Sequence, residues 1–156
     1  MYGNVDGWSD LLWPHRWALY SFDAYINGAR VYDYTFELTE SSYFTAGVLC
    51  HEFFHVLGAP DLYHYNNTGA PDAVGGWDLM ESTSNPPQYM GAFLKWKYGD
   101  WIPEIPEITS TGTYTLNPLQ EQENSSYKIA SPNSDTEYYV LEYRVKEGNY
   151  DSNTPG

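Results

Sequence analysis

Cysteine is almost missing from this chain. Cys50 stands alone, so no disulfide forms within the chain and the redox compartment stays open. Cations are scarce too. Seven Lys and Arg face 21 Asp and Glu, a formal net charge of −14 over 156 residues. That charge repels phosphate backbones and anionic headgroups, which argues against nucleic acid and acidic membrane surfaces as partners. No run of 18 apolar residues occurs, so nothing reads as a helical membrane span. The opening "MYGNVDGWSD" lacks the basic and apolar regions of a signal peptide. Any export signal is therefore expected outside this chain. No internal repeat is evident.

Aromatic residues, by contrast, make up 18% of the chain, sixteen of them tyrosine. Such side chains build cores and also line grooves for peptide or sugar. The length suits one ordinary domain with a real core. The carboxylate excess serves solubility and could also hold calcium. Asp72, Asp78 and Asp100 are the candidate calcium ligands, although their spacing fits no calcium loop.

Residues 17–26 and 30–36 read as strands, joined by the turn signal "NGA". "TESSYFTAGVLCHEFFHVLG" reads as a helix, capped by Ser41 or Ser42 and ended by Gly58. Its Leu49, Phe53, Val56 and Leu57 share a helical stripe expected to face the core. Val48, His51, Glu52 and His55 form a second stripe. A further helix is expected over 86–98, with Asn85 as cap, Pro86 in its first turn, and Met90, Phe93 and Leu94 packing on the first helix. Prolines 103 and 106 then break the pattern. The runs "TYTLNPL", "SYKIASP" and "TEYYVLEYRVK" read as strands of a small β region over 104–156, appended to a mixed α/β core over 1–103.

The chemistry concentrates in "HEFFHVLGAPDLYHY", residues 51–65, which holds three of the four histidines. Residues four apart on a helix differ by roughly 40° in direction and about 6 Å in rise. His51 and His55 can therefore reach one zinc ion beside the helix. Glu52, on the same stripe, can touch a water held by that ion and take its proton. This is the H-E-x-x-H logic of a metallohydrolase. A third ligand is needed, and three candidates exist. Asp61 follows a glycine turn at Gly58, His64 is the better zinc ligand by type, and Glu81 lies further along the chain. The glycine turn favours Asp61, since a left-handed residue there swings the chain back under the metal.

The run His51-Glu52-x-x-His55-x-x-Gly58-x-x-Asp61, followed by "LYHY", resembles the secreted zinc metallopeptidases of the immune inhibitor A type. These are similar to the metzincins but take aspartate as third ligand. "LWPHRW" (12–17), "GGWDLMES" (75–82), "PPQYMGAFLKWKYGDW" (86–101) and "EYYVLEYR" (137–144) resemble further segments of that family in the same order. The resemblance implies a zinc-dependent endopeptidase with a metzincin-like α+β core, acting on protein or peptide, and secreted. His51, His55 and Asp61 would hold Zn2+, Glu52 would act as general base, and Met80 would form a turn beneath the metal. Tyr89 is a candidate to stabilise an oxyanion, and His15 alone reads as structural. Family domains carry strands and a propeptide before the Trp-Pro-His element, so the chain is expected to be part of a longer, truncated domain. Two rivals remain: a degenerate domain that binds zinc or peptide without cutting, and an aromatic-rich carbohydrate-binding module.

Overall fold

The computed structural model describes residues 13–39, 44–66, 69–121 and 123–155. Ser41 and Ser42, the expected helix caps, lie outside these residues.

The two expected N-terminal strands each split in two. Strand β1 (His15–Ala18) pairs antiparallel with β4 (Asp33–Phe36), and β2 (Ala24–Ile26) pairs with β3 (Ala29–Val31). The turn signal acts as expected. Asn27 and Gly28 both take positive φ, 51° and 80°, as a two-residue hairpin turn of the primed type requires. His15 pairs with Phe36 and stacks on its ring at 5.4 Å, a structural role for this histidine.

Helix α1 (Ala46–Val56) begins at Thr45, whose side chain accepts the Val48 N–H at 3.2 Å. It ends where Gly58 turns left-handed at φ 98°. Gly47 lets the helix press on the 83–84 backbone: a Cβ there would fall 2.3 Å from the Ser84 carbonyl oxygen.

The facing of α1 overturns the expected core stripe. Leu49, Phe53 and Leu57 are exposed, Phe53 by 57%. Gly47, Val48, His51, Glu52 and Phe54 are the buried residues instead. Apolar side chains lie on more than one side of this helix, so periodicity alone does not choose a face. The polar stripe can go inside because its groups find partners there. Leu49 and Phe53 border an open groove of about 1140 Å³, lined also by Trp101, Pro103 and Tyr150.

The second helix is shorter than expected. Helix α2 spans Ala92–Lys97, and residues 86–91 are not helical. Pro86 and Pro87 precede a buried Gln88, whose amide donates to the Ser82 carbonyl at 2.5 Å and whose carbonyl accepts from the Ser84 hydroxyl at 2.8 Å. These bonds fix an irregular chain where a first helical turn was expected. The packing expectation holds: Met90 and Leu94 join Phe54, Ala59, Leu79 and Met80 in one buried cluster, with Phe93 against it.

Beyond Pro106, β5 (Ser126–Ala130) and β6 (Tyr138–Glu142) pair antiparallel, as two of the three expected strands. "TYTLNPL" forms no strand. It makes a single bridge, Pro118 to Tyr143. Ile105, Leu119 and Val140 from this region pack with Ala92 and Trp96 of α2. The described elements are thus α+β, with strands in three two-stranded antiparallel pairs.

Candidate metal centre

Helix α1 presents His51 and His55 one turn apart, with ring centroids 4.8 Å apart and planes at 89°. Each ring is anchored through Nδ1. His51 Nδ1–H donates to the Leu79 carbonyl at 2.9 Å, and His55 Nδ1–H to the Ala59 carbonyl at 2.8 Å. A carbonyl only accepts, so both protons sit on Nδ1 and both Nε2 atoms turn the other way. They meet the same carboxylate oxygen. Asp61 Oδ1 lies 2.9 Å from His51 Nε2 and 3.2 Å from His55 Nε2.

Three ligand atoms thus lie within 4.8 Å of one another. Two ligands of a tetrahedral zinc, each about 2.0–2.1 Å from the ion, are roughly 3.3 Å apart. The two contacts of Asp61 Oδ1, at 2.9 and 3.2 Å, are close to that. Without a metal, the short Nε2 to carboxylate contacts need a proton on each Nε2 as well. The electrostatics agree. For His51, burial works against the charged form, yet the bonds to Asp61 and Leu79 outweigh it and the pKa is raised. For His55 the bond to Asp61 is the main cause of the same rise. Burial would raise Asp61, but hydrogen bonds from His51, His55 and Tyr65 hold it far below the usual carboxylate range. A centre that demands positive charge between two imidazoles and a carboxylate fits a divalent cation.

Glu52 is 7% exposed. Burial pushes its carboxyl up, while His51 and His55 pull it back. The Arg16 backbone N–H of β1 also favours its charged form. Met80 is fully buried beside Ala59 and Phe54, under the helix.

The other candidates lie elsewhere. His64 is exposed, and its Nε2 donates to the Pro71 carbonyl at 3.0 Å. Glu81 has its pKa raised by burial and by Asp72. Neither belongs to the converging group. Tyr89 contacts Lys95, whose ammonium sits 4.6 Å over its ring, and Tyr150, at 5.1 Å between centroids. Tyr89 also lines the groove that Phe53 borders. Asp78 spends both carboxylate oxygens on backbone N–H groups. Among the described residues, Asp72, Asp78 and Asp100 form no metal-capable group.

Sequence reasoning passed over two tyrosines of "LYHY". Tyr65 donates its hydroxyl to Asp61 Oδ2, and its own pKa is pushed up to about 12 by that carboxylate. Tyr63 stacks on His51 at 6.4 Å and 18°. Glu37, just after β4, was passed over as well. Both its oxygens are buried without a hydrogen-bond partner, and burial and the charge of Glu52 raise its pKa.

The catalytic-domain model of the immune inhibitor A peptidases, family M6, matches residues 3–94, more than half of the chain. The chain belongs to the immune inhibitor A peptidase family. Individual relatives are more distant. The chain is 29% identical over 115 residues to "Immune inhibitor A" of Bacillus thuringiensis subsp. alesti, covering 59% of this chain and 16% of the relative. It is 32% identical over 94 residues to "Pre-pro-metalloprotease PrtV" of Vibrio cholerae, covering 53% and 10%. It is 34% identical over 92 residues to human "Transforming growth factor-beta receptor-associated protein 1", covering 49% and 10%. The chain therefore spans only a small part of each of these curated relatives. No solved structure matches it. Among the described residues, no helix is long and apolar enough to cross a membrane.

Proposed function

We propose that this M6-family chain carries the catalytic centre of a secreted, zinc-dependent endopeptidase with a metzincin-like core. The observation that carries the reading is the meeting of His51 Nε2, His55 Nε2 and Asp61 Oδ1, with both Nδ1 atoms committed to backbone carbonyls. These three side chains would hold the ion. Zinc, when bound, supplies Lewis acidity and brings the pKa of a water toward neutrality.

The chain's own groups supply the rest. Glu52 is the carboxylate on the same helical face, buried, with its pKa raised toward the range in which a base both takes and returns a proton. It removes the proton from the attacking water and passes it to the leaving amine. The Leu79 and Ala59 carbonyls keep each imidazole in the tautomer that leaves Nε2 free. Met80 floors the site with a close-packed apolar surface. The substrate is a protein or peptide, bound extended along a strand edge near α1.

The test is Glu52→Gln. Zinc should remain bound at one equivalent while casein cleavage is lost. Cleavage retained by E52Q would remove Glu52 from the mechanism. A wild-type chain that binds zinc stoichiometrically and cuts nothing would leave a binding domain instead.

A further inference from the structure

Asp78 is 3% exposed, and both oxygens are used. Oδ1 accepts the Met80 N–H at 2.8 Å, and Oδ2 accepts the Gly91 N–H at 2.6 Å. Its backbone carbonyl accepts Glu81 N–H at 3.1 Å and Ser82 N–H at 3.2 Å. One residue therefore closes the turn over 78–82 and ties it to the start of α2.

The two carbonyls that this turn displays point to different parts of the metal centre. That of Leu79 accepts His51 Nδ1–H at 2.9 Å. That of Met80 accepts the Leu62 N–H at 2.9 Å, next to Asp61 in the chain. The first and third ligands come from segments ten residues apart in sequence, and both lean on adjacent peptide units of one turn. A shift of that turn would move both.

We infer that Asp78 is a positioning residue for the metal centre: its carboxylate sets the Leu79 and Met80 carbonyls that orient His51 and the Asp61 segment. The inference rests on the metal reading proposed above. Partners of this kind, behind metal ligands, change metal affinity by about 10–100-fold. A carboxylate accepts from both N–H groups at once. An asparagine in its place turns an NH2 toward one of them, so Asp78→Asn should disturb the turn with little change in volume.

The experiment is a Co2+ titration followed by its visible absorption, with a zinc competition, on wild type, D78N and Glu142→Gln. Glu142 Oε2 accepts the Ala92 N–H at 2.6 Å and Oε1 pairs with Arg144 at 3.1 Å, so E142Q perturbs the same end of α2 while both hydrogen bonds to the Asp78 carboxylate stay in place. The expected result is one equivalent of metal for wild type and E142Q, and affinity lower by tenfold or more for D78N. A D78N affinity equal to wild type, in a chain of the same thermal midpoint as E142Q, overturns the positioning role and leaves the metal centre standing. A wild type that takes up no metal overturns the metal reading and the inference with it. If D78N does not fold, Asp78→Ser, which keeps one oxygen acceptor, is titrated in its place. Failure of both variants to fold, where E142Q folds, assigns Asp78 to the scaffold alone and overturns the inference.

Discussion

His51 Nε2 stands 2.9 Å from Asp61 Oδ1, and both side chains are about nine-tenths buried. A neutral imidazole with its proton on Nδ1 offers only a lone pair at Nε2, which a carboxylate would repel. A cation between them removes the conflict, and the metal-free chain must use protons for that purpose.

A pH dependence follows. The folded-state pKa values of His51 and His55 are raised from 6.5. Their contribution to metal-free stability is full below 6.5 and is lost as pH rises through the folded values. Asp61 is depressed from 3.8, so its contribution is present above 3.8 and lost as pH falls through its folded value. The metal-free chain should therefore be most stable in mildly acid solution. Zinc displaces the Nε2 protons, so its affinity should rise with pH across the same window, with measurable proton release. Thermal midpoints from pH 5 to 8, with and without zinc, check this. A stabilisation by zinc that does not grow with pH would contradict it.

Gly47 should tolerate no side chain. Its Cβ would meet the Ser84 carbonyl oxygen at 2.3 Å, and a backbone oxygen has no rotamer by which to move aside. Gly47→Ala gains about 1 kcal/mol of helix propensity. It should nevertheless destabilise the chain by about 1–3 kcal/mol through overpacking. Urea denaturation of G47A measures the difference, and an increase in stability would show that α1 and the 83–84 segment are not in contact.

Much of this was legible beforehand, and the misses have physical causes. The four-residue spacing of His51 and His55, the glycine at the helix end and the Asn-Gly turn all act within a few residues, where spacing and backbone preference decide. The inward face of α1 differs from the pattern because Leu49, Phe53 and Leu57 are apolar, yet partners for His51, Glu52 and His55 come from Leu79 and Arg16, far along the chain, as well as from Ala59 and Asp61. The irregular 86–91 segment depends on Gln88 reaching Ser82 and Ser84, which no helical pattern announces. Tyr65 escaped notice among sixteen tyrosines, since only the turn after Gly58 brings it to Asp61.

Asp151 helps bond the last described residues into the fold, and it shares Arg144 with Glu142. Asp151 is 1% exposed and accepts from Arg144 Nη2 at 2.6 Å, Arg144 Nε at 2.9 Å and the Tyr89 N–H at 2.8 Å. Removing one partner of a buried pair strands the other charge, at about 3–5 kcal/mol. Arg144→Met should cost about that much, and R144M combined with Asp151→Asn should recover part of it. Chemical denaturation of the three variants measures the coupling; additive losses would show that the pair does not act as a unit.

The third ligand gives the sharpest discrimination. Asp61 shares one oxygen with both histidines, whereas His64 faces outward and bonds to Pro71. Asp61→Ala should remove a ligand and leave two imidazoles to hold the ion, lowering zinc affinity by a hundredfold or more. His64→Ala should leave it within a factor of about two, as for an exposed group outside the coordination sphere. Tyr65→Phe lies between: it takes one hydrogen bond from Asp61 Oδ2, and supporting groups of that kind are worth about tenfold in metal affinity. Zinc competition against a chromophoric chelator ranks the three. If H64A loses metal as fully as D61A, the chain after Gly58 must turn differently when loaded, and Asp61 shares its place in the coordination sphere with the histidine three residues on.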